Sequence, residues 1–162
     1  MNFRGVLFDW RGTLVVAPTV EEWATEALRR LGRSAGAEAV DKIAPLLAQV
    51  ADDLDAPGLD ADATLHLSTY QRVLAGLGFE PEIVMALYEV ESDPACNPFA
   101  GDAPATLMAL AGAGLRIGVV SDIHVDIRPA FASAGLDDVV DVFTLSFDKG
   151  CRSLIQRCSH AP

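Results

Sequence analysis

Two side chains that could take part in nucleophilic chemistry follow a short apolar run near the N-terminus. The run is Val6-Leu7-Phe8, and after it come the carboxylate of Asp9, the turn residue Gly12 and the hydroxyl of Thr13. Such a run predicts a parallel strand that is covered on both faces. Because α/β sheets bind ligands at the C-terminal ends of their strands, Asp9 is a candidate nucleophile. Alternatively, Asp9 only caps the turn that follows, as aspartate often does.

A second candidate lies after a strongly apolar segment, Leu115 to Val120, which predicts another strand. This segment ends in Ser121, whose hydroxyl can donate a hydrogen bond to an oxygen of a bound phosphate or carboxylate. A serine that follows a strand is also a common turn residue. The next residue, Asp122, is a candidate for substrate binding.

The elements that must position these side chains alternate along the chain. The sequence predicts strands at residues 4–9, 115–120 and 139–145, helices between residues 19 and 91, and further helices at 104–111 and 129–134. The acidic stretch from residue 52 to 60 predicts a loop within the helical region. This order predicts an α/β fold with a parallel sheet and a helical insertion after the first strand.

The composition limits the class of protein and its partners. A chain of 162 residues with 51% hydrophobic residues predicts one globular domain that carries an insertion. The net charge of −11 argues against non-specific binding to nucleic acid and against docking on anionic membranes. Three cysteines without metal-like spacing predict reduced thiols, and the N-terminal segment has no signal-peptide pattern. We therefore expect a cytoplasmic protein that acts on a small molecule.

Both candidate motifs resemble those of the haloacid dehalogenase (HAD) superfamily. Asp9, Gly12 and Thr13 match its first motif, Ser121 matches its second, and the likeness extends from about residue 4 to residue 150. The resemblance implies a HAD-like Rossmannoid core, formed by residues 1–17 and 96–162, with an α-helical cap at 18–95. It also implies a hydrolase in which Asp9 is the nucleophile and a metal ligand, and in which Thr13 and Ser121 orient the transferred group.

One residue of the first motif departs from the usual pattern, because Arg11 stands where HAD phosphatases carry a second aspartate. In those enzymes the acid protonates the leaving oxygen and later activates water. A guanidinium stays protonated near neutral pH and cannot carry out that transfer. Arg11 could instead pair with Asp9, bind an anionic substrate, or form a surface salt bridge.

The end of the chain departs from the family as well. The family's third motif supplies a lysine that would align near Ser153; Lys149 lies four residues earlier and is either an anion-binding residue or a solvated loop lysine. Acidic residues of a fourth motif, which hold Mg²⁺ in the family, are expected beyond Pro162. We therefore expect a truncated or frameshifted member with an incomplete core sheet, at which Mg²⁺ binding is doubtful.

Two further residues lie close to the motifs, and each has an expected role. His124 follows the second motif and suits a proton relay, although a loop histidine is more often solvated or structural. Trp10 is expected to pack in the core or against the cap.

Three functions remain open from the sequence. The first is a phosphatase that acts on a small phosphorylated metabolite. The second is a 2-haloacid dehalogenase, because a departing halide needs no proton. The third is an inactive remnant or binding module. In addition, an incomplete sheet would leave Val6-Leu7-Phe8 as an exposed edge, which predicts self-association.

Overall fold

The structure, a computed structural model, describes residues 4–146 and 148. Its strands are β1 (Gly5–Phe8), β2 (Arg116–Ser121) and β3 (Val142–Leu145). Between β1 and β2 lie α1 (Val20–Arg30), α2 (Ala37–Val40), α3 (Ala44–Gln49), α4 (Ala51–Leu54), α5 (Ala63–Gly76), α6 (Pro81–Glu91) and α7 (Ala103–Gly112). Helix α8 (Arg128–Ser133) connects β2 to β3, and two short 3-10 helices span Leu59–Ala61 and Pro94–Cys96.

The described strands form one parallel sheet in the order β1-β2-β3. Phe8 pairs with Val119, which pairs with Phe143, and this row belongs to a buried cluster. In the next row, Leu7 pairs with Gly118 and Gly118 with Val142. Leu7 is 70% exposed, so this second row lies on a face that the described residues leave open. The predicted α/β class and the incomplete parallel sheet are confirmed.

The helices between β1 and residue 91 pack around their own hydrophobic cluster. Helix α1 begins at a capping box, in which Thr19 and Glu22 each accept a hydrogen bond from the other's backbone N–H. Trp23 of α1 donates from its indole nitrogen to the carbonyl of Leu87 at 2.7 Å, which ties α1 to α6. The most deeply buried members of this cluster are Ala24, Ala27, Leu47, Leu74, Leu87 and Val90.

A second cluster surrounds the sheet, and its fully buried members lie within residues 10–15 and 103–145. Trp10 is fully buried there, edge-on to Phe99 at 5.5 Å and 5.3 Å from Phe131, as the sequence predicts for this tryptophan. The two clusters support a division into a core and a cap, whose boundaries at residues 17/18 and 95/96 stay a prediction.

Two local predictions are wrong. The stretch from residue 52 to 60 is not a simple loop, because α4 and the start of a 3-10 helix lie within it. The third strand begins at Val142 rather than at residue 139, because Val139 lies in a turn in which its N–H donates to the carbonyl of Leu136 at 3.1 Å. Among the described helices, none is both long and apolar enough to cross a membrane.

Candidate active site

The turn after β1 presents Asp9 at the C-terminal edge of the sheet. Asp9 follows Phe8 directly, and its side chain is exposed. The carbonyl of Trp10 closes the turn by accepting from the N–H groups of Leu14 at 2.9 Å and Val15 at 3.1 Å. Gly12 has a φ of 79°, in the left-handed region that favours glycine. The turn therefore holds Asp9 beside water.

Thr13 and Ser121 lie in different surroundings. Thr13 is exposed in the same turn as Asp9. Ser121 is the last residue of β2, pairs with Leu145 and is only 5% exposed; Asp122 follows it and is half-buried. Because β1 and β2 are adjacent parallel strands, Asp9 and Ser121 lie at the same edge of the sheet. The structure thus brings the two candidate motifs to one edge.

Arg11 extends from the turn after β1 to the helical region. Its Nη1 donates to Oε1 of Glu91, at the end of α6, over 2.9 Å. The Glu91 side chain is only 8% exposed and that of Arg11 is 39% exposed. Burial lowers the pKa of Arg11, but the charge and hydrogen bond of Glu91 outweigh it and raise that pKa. Three roles were expected for Arg11: pairing with Asp9, binding an anionic substrate, or a surface salt bridge. The structure shows a salt bridge, but this salt bridge connects core and cap instead of lying on the surface.

A cleft of about 200 Å³ opens between the cap and the turn after β1. Arg11 and Glu91 line one part of it, and Asp60 and Tyr70 another. Burial raises the pKa of the Tyr70 phenol above its ordinary value, so Tyr70 stays a neutral hydrogen-bond donor near pH 7. The cleft combines an apolar wall with a few charged groups, as binding sites for small molecules do.

Two buried histidines meet beside this cleft. His66 of α5 and His124, which follows β2, are 0% and 4% exposed. Their rings stack with centroids 3.4 Å apart and planes 14° from parallel. Of the two ordinary roles expected for a loop histidine, solvated or structural, the burial of His124 excludes the solvated one. Burial raises the pKa of nearby Asp60, but its contacts with His124 and His66 outweigh this and hold that pKa below its ordinary range.

Sequence reasoning missed the partners of His124 in this group, namely Asp60, His66 and Glu91. A signal for His66 was present, because it shares the buried face of α5 with Tyr70, four residues later. A histidine on an apolar helix face is a satisfied core residue more often than a ligand. The sequence gives no comparable signal for the approach of Glu91, which comes from the end of another helix.

Around Asp9 the described residues do not fit the Mg²⁺ that the resemblance implies. Mg²⁺ takes oxygen ligands in near-octahedral geometry. Two residues after Asp9, the cationic Arg11 occupies the position of a second carboxylate and is bound to Glu91. Within the described ranges, Asp9 belongs to no group of three possible ligands. We derive no step through a metal ion at Asp9.

The third-motif segment is described only at its start. Ser146, fully buried after β3, accepts from the Ile123 N–H at 2.8 Å and so supports the loop that carries His124. Lys149, the predicted anion-binding residue, lies outside the described residues.

Solved structures with the same architecture include haloacid dehalogenases. L-2-haloacid dehalogenase from Xanthobacter autotrophicus superposes with a TM-score of 0.61 and 21% identity, over 99% of this chain and 66% of that one. A crystal structure of a dehalogenase has a TM-score of 0.61 and 21% identity, over 97% of this chain and 68% of that one. A HAD phosphatase from Thermococcus onnurineus has a TM-score of 0.49 and 19% identity, over 92% and 65%.

No protein-family model matches the sequence, and no curated protein does so at a significant level. The chain spans about two thirds of the length of the structures that it resembles, because it covers 68%, 65% and 66% of those three protein chains. The likeness nevertheless includes the parallel sheet, the helical insertion after β1 and nearly the whole of this chain. The chain therefore has the HAD fold of the haloacid dehalogenases, as its two sequence motifs predict.

Proposed function

We propose that this chain is a HAD-type hydrolase in which Asp9 is the nucleophile and the leaving group departs without a proton from residue 11. The observation that carries the proposal is the ion pair between Arg11 and Glu91, at 2.9 Å. It places a permanently protonated group, already bound to a carboxylate, where a phosphatase of this fold needs an acid that exchanges protons. A halide is a leaving group that needs no such acid.

The proposed substrate class is a small 2-haloacid. An oxygen of Asp9 attacks the carbon that bears the halogen, a C–O bond forms, and the halide leaves with the electron pair of the C–halogen bond. Water then attacks the carbonyl carbon of the resulting ester. The bond between that carbonyl carbon and the alkoxide oxygen breaks, and the alkoxide oxygen takes one proton of the water. The 2-hydroxy acid leaves with the oxygen that Asp9 supplied, the second proton passes to solvent, and Asp9 is restored as a carboxylate.

Other residues at this edge suit the binding of the substrate. The hydroxyls of Thr13 and Ser121 can donate hydrogen bonds to the substrate carboxylate. Arg11 keeps N–H groups beyond the one that binds Glu91, and its side chain remains 39% exposed beside the cleft. Asp122 and Lys149 stay predicted substrate-binding residues. The likeness to structures described as haloacid dehalogenases supports this class of reaction.

The phosphatase activity that the sequence predicts first is the alternative outcome. Hydrolysis of a phosphate ester of an ordinary alcohol requires a proton for the departing oxygen, and Arg11 does not supply it. An activated ester such as p-nitrophenyl phosphate, whose leaving group needs little protonation, is the phosphatase substrate that the site could still turn over. Alkyl phosphates are expected to be inert.

The experiment compares three substrates on the purified chain and two matched variants. Release of chloride from 2-chloropropionate is measured beside release of phosphate from p-nitrophenyl phosphate and from an alkyl phosphate, with and without Mg²⁺. Asp9→Asn should lower turnover by at least about 10³-fold, because an amide is a poor nucleophile. Asp138→Asn, the same change at an exposed turn residue, should leave turnover unchanged.

Turnover in water labelled with ¹⁸O gives the second readout. Because water attacks the ester carbonyl, turnover in H₂¹⁸O should introduce ¹⁸O into the Asp9 side chain, which mass spectrometry of the peptide detects. Dehalogenation without label in Asp9 would contradict the covalent route. Turnover of none of the substrates would identify the chain as an inactive member of this fold, and turnover of alkyl phosphate would refute the argument from Arg11.

A further inference from the structure

Four buried or half-buried groups converge where the cap meets the loop after β2. Asp60 and His66 come from the helical region, Glu91 ends α6, and His124 follows β2. Three of these residues each offer one possible ligand atom, and the three atoms all lie within 4.8 Å of one another; the residues are Asp60, His66 and His124. We propose that Asp60, His66 and His124 bind a divalent transition-metal ion of the Zn²⁺ type, with the carboxylate of Glu91 as a charged neighbour.

The first argument is that lone pairs face each other across the cluster. His124 Nε2 lies 3.0 Å from the hydroxyl of Ser92, and in one of the two neutral tautomers of His124 its N–H donates to that oxygen. In that tautomer Nδ1 of His124 carries a lone pair and faces Oδ1 of Asp60 at 3.5 Å. Two acceptors at this separation repel each other unless a cation lies between them.

The second argument is that His66 has no hydrogen-bond partner for either ring nitrogen among the described residues, although its side chain is only 1% exposed. Its Nε2 lies 3.4 Å from Oδ1 of Asp60 and 3.6 Å from Oε2 of Glu91, without hydrogen-bond geometry to either. Buried polar atoms are normally satisfied.

The distances also match a metal site. Zn²⁺ binds imidazole nitrogen and carboxylate oxygen at about 2.0–2.1 Å, so the ligand atoms of a tetrahedral site are about 3.3–3.4 Å apart. The separations from Asp60 Oδ1 to His66 Nε2 and to His124 Nδ1 are 3.4 and 3.5 Å. Two imidazoles among the ligands favour Zn²⁺, Co²⁺ or Ni²⁺ over Mg²⁺.

The stacked rings of His66 and His124 must change their orientation before one metal ion can bind both. Imidazole lone pairs lie in the ring plane, and the planes of His66 and His124 are 14° from parallel. One ion can accept both lone pairs only if the rings turn apart, so metal binding should break the stack. The Ser92 hydroxyl, as the partner of His124 Nε2, would support the ligating tautomer from outside the site.

The consequence of the site is a connection between cap and core. His124 belongs to the loop that follows a core strand, while Asp60 and His66 belong to the helical insertion. An ion that all three bind would hold these segments together, and it would raise the thermal stability of the folded chain. The site is separate from the chemistry proposed for Asp9.

The test uses Zn²⁺ and Co²⁺ with the full chain after treatment with a chelator. Calorimetry should give one Zn²⁺ per chain at micromolar affinity or better. Co²⁺ should give the intense visible absorption of a four-coordinate ion, and a hundredfold excess of Zn²⁺ over its Kd should raise Tm by about 5–10 °C. Asp60→Asn, which removes a ligand charge at nearly constant size, should weaken binding at least tenfold.

Two control variants show whether the bound ion belongs to this cluster. Asp53→Asn changes an exposed carboxylate of α4 and should bind Zn²⁺ as the parent chain does. Asp9→Asn should also bind normally, so failure of the proposed function leaves this inference standing. No stoichiometric binding to the parent chain, a six-coordinate Co²⁺ spectrum, or equal affinity of Asp60→Asn and Asp53→Asn would overturn the proposal without relying on a variant that fails to fold.

Discussion

The ion pair between Arg11 and Glu91 should stabilise the contact between cap and core, and a double-mutant cycle measures how much. Arg11→Met keeps an unbranched side chain without the charge, and Glu91→Gln keeps the shape of the acid. Each single change leaves the other partner without its counter-charge in a cleft at the cap–core boundary. The free energy of unfolding of both single variants and of the double variant gives the coupling between the two residues.

The expected coupling follows from the burial of the two side chains. Removing one partner of a fully buried pair costs about 3–5 kcal/mol, whereas an exposed pair contributes about 0–1 kcal/mol. Glu91 is 8% exposed, but Arg11 is 39% exposed and in contact with water. We therefore expect an intermediate coupling of about 1–2 kcal/mol.

The chain supplies a matched control in the pair of Lys42 and Glu38. It has the same 2.9 Å separation, yet its side chains are 71% and 88% exposed. Lys42→Met and Glu38→Gln form the equivalent cycle, with an expected coupling below about 0.5 kcal/mol. Urea unfolding at pH 7, followed by tryptophan fluorescence, measures both cycles. Equal coupling in the two pairs would refute the argument that burial at the cap–core boundary strengthens this contact.

Two more predictions concern acid stability and association. Because its hydrogen bonds with Arg29 and Arg30 lower the pKa of Glu26 from 4.5 to about 2 in the folded chain, the stabilising effect of Glu26 is complete above pH 4.5 and is lost as the pH falls. The parent chain should therefore lose stability relative to Glu26→Gln between pH 5 and pH 3 in urea titrations, and an unchanged difference would contradict this. We also propose that the chain self-associates through β1, an edge strand of the described sheet. Leu7→Lys, in β1, should therefore shift the chain towards monomer in sedimentation, while Leu65→Lys, at a leucine of α5 that is 50% exposed, should not. A parent chain that is already monomeric would rule this association out.

The fold could be predicted because its signals are local. The apolar runs before Asp9 and Ser121 mark strands, the glycine at position 12 marks the turn, and the helical periodicity between them marks the insertion. The short helices α2 and α4 could not be predicted, because four-residue elements carry too few residues for a period to be recognised.

The partners within the site could not be predicted in the same way. Glu91 lies 80 residues after Arg11, and nothing in either local pattern indicates that the two meet. The stack of His66 on His124 likewise depends on how α5 packs over the loop after β2. The sequence identifies which residues have reactive side chains, but packing of the cap decides which of them share a buried environment.

The position of the cap within the chain also has a consequence for how the protein folds. Gly5 pairs with Arg116, so the first two strands are joined by the entire helical insertion. Bringing the ends of such a long flexible segment together has a large entropic cost, and non-local strand pairing of this kind slows folding. Helices α1 and α6 make extensive contacts with each other within the insertion. We expect the insertion to collapse first and shorten the effective distance between β1 and β2, so that the sheet assembles last.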